Sequence, residues 1–328
     1  MTKIKKHIEI VRAQKGWLSS LSKQSAKSIY SILEKYYTHI EITTINNLAD
    51  LKELVKRKPD LVFLGIKFIN QNESLKLEDP DKIWVAKYLS DHNILYTGSD
   101  NIAHNLEFNK DLAKKNILAS GIQTSPFYII KKEQKQTTNT HFLKFPLFIK
   151  PTNRGGGIGI DSNSIAYNFN QLHTKVIDIA EKLQSNSLIE EYLPGREFSV
   201  AILKNRDTGK FFIMPIELVA PADKSGVRIL SKEIKSSNEE SVSKIKDKIL
   251  ENRIKDLAIK AFYSIGARDY ARIDIRLDVN GNPQFLEANL IPSLIQDYGS
   301  FPKACLLNRN LDHEFMILAI VKLAFDRS

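Results

Sequence analysis

The sequence predicts an α/β protein that opens with a parallel, Rossmann-like sheet, and three observations lead there. Short apolar runs alternate with helix-like segments through the first hundred residues, a βαβ rhythm. Further on, paired strand signals meet at turn residues, with Pro194-Gly195 inside one pair and Asn280-Gly281 between another. The chain is 328 residues long, which leaves room for two or three domains and a large core.

Taken in order, strands are expected over 7–11, 39–43, 60–66 and 93–99, with helices over about 22–36, 49–57 and 80–91 between them. No G-x-G-x-x-G follows a strand, so the rhythm supports no dinucleotide site. A helix over 105–120 should end at Gly121, a residue suited to the left-handed C′ position. The polar stretch 131–141 is expected to be a surface connection. Residues 145–160 read as a strand, a Gly-rich turn and a second short strand, followed by a helix over 168–184. Residues 187–203 carry two strand signals, 222–243 read as a mobile loop, and 245–265 as a helix ended by Gly266. Ile273–Leu277 and Gln284–Asn289 alternate apolar and polar residues, the pattern of a hairpin.

Composition is that of an ordinary soluble globular chain, 42% hydrophobic and 26% charged. Its net charge of +10 is spread over scattered lysines with no aromatic-basic interleaving, so a solvated basic surface is expected and no nucleic-acid partner. Cys305 is the single cysteine, which excludes an intrachain disulfide and fits a buried apolar role. No apolar run is long enough to span a bilayer, and no histidine pair has helical metal-ligand spacing. A cytoplasmic protein without a membrane partner is the expectation.

Three segments carry chemistry. Lys150 ends an apolar strand and leads into Arg154-Gly155-Gly156-Gly157, where glycines let backbone N–H groups approach a polyphosphate; no G-K-[ST] closes the run, so it is not a P-loop. Glu190 to Glu197 brackets the Pro-Gly break, and strand residues there could contact a base through backbone groups while a carboxylate accepts from a ribose. Asp274 on one strand, with Glu287 and Asn289 on the next, offers oxygen ligands suited to a hard cation such as Mg²⁺ beside a nucleotide. Arg154 could also anchor an anionic substrate. His104 fits a cap or packing role.

"FIKPTNRGGGIGI", "LIEEYLPGREFSVAIL", "GARDYARIDIRLD" and "FLEANLIPSL", in this order and spacing, resemble the ATP-grasp superfamily, specifically its D-alanyl-D-alanine ligase branch. The resemblance covers about 105–302; before it, only the βαβ pattern and "YTGS" at 96–99 are similar. It implies a three-domain ATP-grasp fold: an N-terminal Rossmann-like domain over 1–103, a central subdomain over 104–187, and a C-terminal subdomain over 188–328 carrying the metal and oxyanion residues. It also implies a carboxylate-amine ligase working through an acyl phosphate, with ATP and two Mg²⁺ ions, Mn²⁺ being an acceptable substitute, and a homodimer.

Position by position, the resemblance makes Lys110 and Lys150 the phosphate-binding lysines and Gly155, Gly156 and Gly157 the phosphate loop. Glu190 contacts the adenine amino group, backbone at Glu191 and Leu193 reads the base, and Glu197 binds ribose. Asp274, Glu287 and Asn289 become the metal ligands. Arg272, with a backbone N–H at Ser293, stabilises the tetrahedral oxyanion, and Lys235 covers the γ-phosphate. An acceptor carboxylate would fall to Tyr298 or Ser300 in "QDYGSFPKA", which is one residue longer than the family's turn.

Departures bear on specificity. The family's N-terminal Ser-x-Glu is replaced by "RAQKGWLSSLSKQS", which has no glutamate to hold a D-alanine ammonium. A serine and a tyrosine that bond to it become Gly156 and Ser236, and the His-Gly segment becomes "GIKFINQNESLKLEDPDKIW". Because lost polar partners change specificity strongly, amino-acid or peptide substrates other than D-Ala plus D-Ala are expected. The alternatives are an authentic D-alanine--D-alanine ligase, a ligase whose acceptor is a peptide or carrier protein, and a non-catalytic ATP-binding regulatory module.

Overall fold

The computed structural model describes residues 2–14, 21–135, 142–222, 228 and 240–327. It begins with β1 (Ile4–Arg12), α1 (Lys23–Leu33), β2 (Tyr37–Thr44), α2 (Leu48–Lys56) and β3 (Leu61–Leu64). The three strands form a parallel sheet in the order β2-β1-β3, as the βαβ rhythm predicts. Ser22 caps α1 by accepting from the Ser25 N–H, and Asn47 caps α2 by accepting from Asp50.

Residues 80–91 are not one helix. β4 (Phe68–Asn70) and β5 (Lys82–Trp84) pair as an antiparallel ribbon, and only then does α3 (Val85–Asp91) begin. Residues 93–99 contribute a single parallel bridge, Val62 to Tyr96, in place of a full strand. The helix expected over 105–120 is two helices, α4 (Asn101–Phe108) and α5 (Lys110–Ala119). They break at Asn109, whose extended backbone (ψ 91°) turns the Lys110 N–H onto the Thr152 carbonyl at 3.0 Å.

A second sheet, in the order β6-β9-β7-β8, joins β6 (Phe127–Ile130), β7 (Leu147–Pro151), β8 (Ile165–Ala166) and β9 (Ser187–Glu191), with α6 (Phe169–Leu183) between the last two in sequence. The short strand after the Gly-rich turn is therefore β8, beyond 160. The third sheet is antiparallel, in the order β12-β11-β10-β13-β14. It comprises β10 (Glu197–Lys204), β11 (Phe211–Val219), β12 (Ser241–Lys244), β13 (Tyr270–Leu277) and β14 (Pro283–Asn289), and α7 (Lys248–Ser264) precedes β13. α8 (Ser300–Arg309) and α9 (His313–Phe325) complete the chain.

The faces of this third sheet have opposite characters. On one, Phe198, Val200, Ile202, Ile273, Ile275 and Phe285 join one buried cluster with Ile254, Ala258 and Phe262 of α7. Each of these Val, Ile and Phe side chains contributes roughly 1.5–3 kcal/mol by leaving water. The other face changes along its length: Ala201, Leu203, Met214 and Tyr270 are buried with Phe301, Ala304 and Cys305 of α8, while Glu197, Ser199, Asp274 and Arg276 lie at the opposite end. Burial pushes the Cys305 thiol up to about 12, in keeping with an apolar role. No helix among the described residues is long and apolar enough to cross a membrane.

Candidate functional site

Register assembles the site. Antiparallel pairing sets Ser199 opposite Asp274, Arg272 opposite Asn289 and Asp274 opposite Glu287, so these side chains share one face. A strict alternation counted back from Asn289 and Glu287 would put Phe285 on that face as well. The ladder slips by one residue between Asp274 and Ile275, so that Ile275 pairs with Phe285 and Asp274 with Glu287. This β-bulge sends Phe285 to the core while Leu286, Glu287 and Asn289 line a cavity.

The cavity holds about 540 Å³ and lies between the second and third sheets. It brings together Lys150, Gly155, Gly156, Glu190, Glu191, Leu193, Glu197, Arg272, Asp274, Glu287, Asn289, Ser293, Tyr298 and Ser300. Tyr298 and Ser300 both line it. Gly299 is fixed by space, since a Cβ there would stand 2.5 Å from the Ser293 carbonyl oxygen. Gly156 has φ +63° and nothing within 4 Å of an added Cβ, so the turn is open where the ligase pattern has a serine.

Arg272 clamps Asp274 through two hydrogen bonds of 2.9 and 2.7 Å, and Asp274 also accepts from Ser199 (2.9 Å) and Asn289 (3.1 Å). Burial works against the Arg272 charge, but Asp274 and then Glu287 outweigh it and raise its pKa. The set is oxygen-rich and mostly carboxylate and amide, a donor chemistry that suits a hard divalent cation. Arg276, on the same face, donates to Glu197, Tyr192 and the Gly195 carbonyl.

Glu190 is buried between Lys114 (2.5 Å) and Lys150 (2.7 Å). Desolvation opposes its ionisation, and the two ammonium groups nonetheless hold the carboxyl low. Lys114, which also donates to Thr124, was not singled out in the sequence; its place one helical turn after Lys110 is the signal that could have found it. Lys110 does not line the cavity directly. Its ammonium donates to the Arg154 carbonyl, and burial together with nearby Lys150 and Lys67 brings its pKa down to about 8 against the pull of Glu287.

Arg154 departs from the role expected of it, and His104 keeps the packing role. The Arg154 guanidinium is held by Glu78 (2.9 Å), the Asn153 side chain and the Leu183 carbonyl, only 8% of its side chain is exposed, and it does not line the cavity. It ties the Gly-rich turn to the segment before β5 in place of a substrate contact. His104 is fully buried and bonds to Glu107 at 3.2 Å, and Glu107 in turn pairs with Lys67 at 2.8 Å on the cavity wall. Gly157 is buried and off the cavity lining, and Lys235 and Ser236 lie outside the described residues.

Comparison with known proteins agrees with this fold. Residues 117–322 match the family model described as D-ala D-ala ligase C-terminus. An uncharacterized protein, y4sG, of Sinorhizobium fredii is 31% identical over 204 residues, 61% of this chain and 57% of that one. The D-alanine--D-alanine ligase of Aquifex aeolicus is 29% identical over 66% of this chain and 74% of its own. D-alanine--D-alanine ligase B of Clostridium perfringens is 25% identical over 85% and 86%. The crystal structure of D-alanine--D-alanine ligase from Bacillus anthracis complexed with ATP superposes with a TM-score of 0.74 at 20% identity, covering 98% of both chains. With a family match over more than half of its length, the chain belongs to the D-alanyl-D-alanine ligase family and has the ATP-grasp fold.

Proposed function

We propose that this chain is an ATP-dependent carboxylate-amine ligase that forms an amide or peptide bond through an acyl phosphate, with amino-acid or peptide substrates other than D-Ala plus D-Ala. The supporting observation is the convergence, in one cavity, of Lys150 and the Gly-rich turn with the 190–197 hinge and the Arg272, Asp274, Glu287 and Asn289 group. The three units are drawn at 1–103, 104–187 and 188–328, with β9 at the second seam.

Lys110, Lys150 and the backbone of Gly155 to Gly157 hold the phosphates, and Lys235 is assigned the γ-phosphate. Leu193 and Glu191 face the base, Glu190 orients the lysines and offers a remaining lone pair to the adenine amino group, and Glu197 accepts from the ribose. Asp274, Glu287 and Asn289 would hold Mg²⁺, which supplies charge neutralisation on the phosphates. A substrate carboxylate oxygen attacks the γ-phosphorus and ADP leaves. The amine then attacks the acyl carbon, and inorganic phosphate departs with the bonding pair. Arg272 and the Ser293 N–H stabilise the oxyanion between those events, the kind of fixed donor that contributes most when water is excluded.

The substrate side supports a specificity of its own, since "GIKFINQNESLKLEDPDKIW" stands where the ligase pattern has its His-Gly segment and Gly156 where it has serine. Mg-dependent ADP release against D- and L-amino acids, singly and in pairs, with mass spectrometry of the product, tests the reading. A ligated product other than D-Ala-D-Ala is expected. D-Ala-D-Ala as the main product would overturn the specificity, and ATP binding without turnover on any substrate, peptides included, would overturn the ligase.

A further inference from the structure

The cavity has a wall with no counterpart among the residues assigned to nucleotide or metal. Phe68, Leu77, Phe108 and Ile291 line it side by side. Phe68 and Phe108 meet edge to face at 5.0 Å, Trp84 backs Phe68 at 5.4 Å, and the Lys82 ammonium lies 5.3 Å from both phenylalanine rings, which pins them. Phe68, Leu77 and Ile291 belong to the buried cluster between α2, α3 and the first sheet, so the wall is rigid.

At its polar edge stand Lys67 and Glu107. Glu107 is satisfied from three sides, by Lys67, by His104 and by the Leu290 N–H at 3.0 Å. Lys67 is the more accessible of the two, its side chain 19% exposed against 4%, and an ammonium has three donors. The wall adjoins the reacting end: Leu290 follows Asn289, and the charges of Glu107 and Lys67 act on Arg272 and Lys110 respectively.

We infer that this wall is the side-chain subsite of the carboxylate donor, and that the donor is an amino acid with a bulky apolar side chain, aromatic or branched aliphatic, whose carboxylate Lys67 helps draw toward Arg272. This rests on the ligase reading. An alanine methyl would leave most of the wall uncovered. Each methylene that fills such a pocket is worth about tenfold or more in selection.

The donor can be tested without knowing the acceptor, because hydroxylamine replaces the amine. The donor carboxylate takes the γ-phosphoryl group and releases ADP, the hydroxylamine nitrogen attacks the acyl carbon, and phosphate leaves to give a hydroxamate. Phenylalanine, leucine and alanine of both configurations are assayed with Mg-ATP and hydroxylamine, and their binding is measured by calorimetry with and without Mg-ADP. The expected result is hydroxamate from phenylalanine or leucine at least about tenfold faster than from alanine. The preference should collapse in Phe108→Ala and return in Phe108→Leu. Alanine performing as well as the bulky amino acids in wild-type protein overturns the subsite and leaves the ligase standing. Tighter binding of the bulky amino acids with no hydroxamate from any donor keeps the subsite and overturns the ligase. Neither binding nor hydroxamate overturns both.

Discussion

Two walls of one cavity follow different logic. The wall made by β13 and β14 is built from strand register: Arg272, Asp274, Glu287 and Asn289 face inward because their partners across the ladder do. The wall made by the segment after β3 and by α4 is built from tertiary contact: Lys67 and Glu107 are forty positions apart in sequence and meet at 2.8 Å. The first wall lies within the residues the family model matches, 117–322, and Lys67 and Glu107 lie before them. On the proposed reading, chemistry and specificity are carried by separate elements, and the second can diverge without disturbing the first.

The sharpest way to break this contrast is at the register-built wall. Glu287→Gln should lower Mg-ATP turnover by about 10³-fold or more while the melting temperature stays near that of the wild type, read by ADP release and thermal unfolding. Turnover at the wild-type rate would remove the β13/β14 wall from the chemistry. Next in size is Glu190→Gln, which leaves Lys114 and Lys150 buried without their carboxylate. A loss of ~3–5 kcal/mol in urea unfolding is expected, and an unchanged midpoint would show that the lysines find other partners.

At the contact-built wall, the Glu107 carboxyl lies at about 2 against an ordinary 4.5: burial would raise it, and Lys67 and His104 more than reverse that. Its folded value is depressed, so its stabilisation is present above about pH 4.5 and is lost as pH falls toward 2. Glu107→Gln should therefore cost ~3 kcal/mol at pH 7 and flatten the acid limb of stability against pH, without the thousandfold rate loss of Glu287→Gln. A rate loss of that size would merge the two walls into one machine.

The smallest effect is a proton. Burial brings Lys110 from 10.5 to about 8, so the unfolded chain binds more protons between those values and stability rises with pH across that window. Phosphate beside Lys110 should restore its charge. ATP binding at pH 8 should then take up roughly half a proton, seen by calorimetry in buffers of different ionisation enthalpy. No uptake would place the phosphates away from Lys110.

Local pattern made much of this legible. The strands 7–11 and 39–43, the helix over 168–184 and the helix ending at Gly266 needed only periodicity and a stop signal, and Gly121 and Gly266 both have φ +73°. What stayed hidden depends on distant partners. Lys82–Trp84 is a strand because Phe68–Asn70 is there to pair with it. The Asn280-Gly281 signal marks a turn, yet the loop runs from Asp278 to Asn282, because the Asp278 carboxylate accepts from the Asn280 and Asn282 N–H groups. Arg154 looked available because Glu78 is far away in sequence. His7, His39 and Glu41 cluster through parallel register, a closeness that helical spacing could not reveal.

The bulge in β14 has a further consequence. A flat strand presents one side chain to a given face about every 6.8 Å, which limits how crowded a surface can become. By setting two residues opposite Asp274, the bulge lets neighbouring Leu286 and Glu287 address the same cavity. One extra residue thereby raises the local density of side chains, letting an oily platform and a carboxylate occupy a length of backbone that would otherwise hold one or the other.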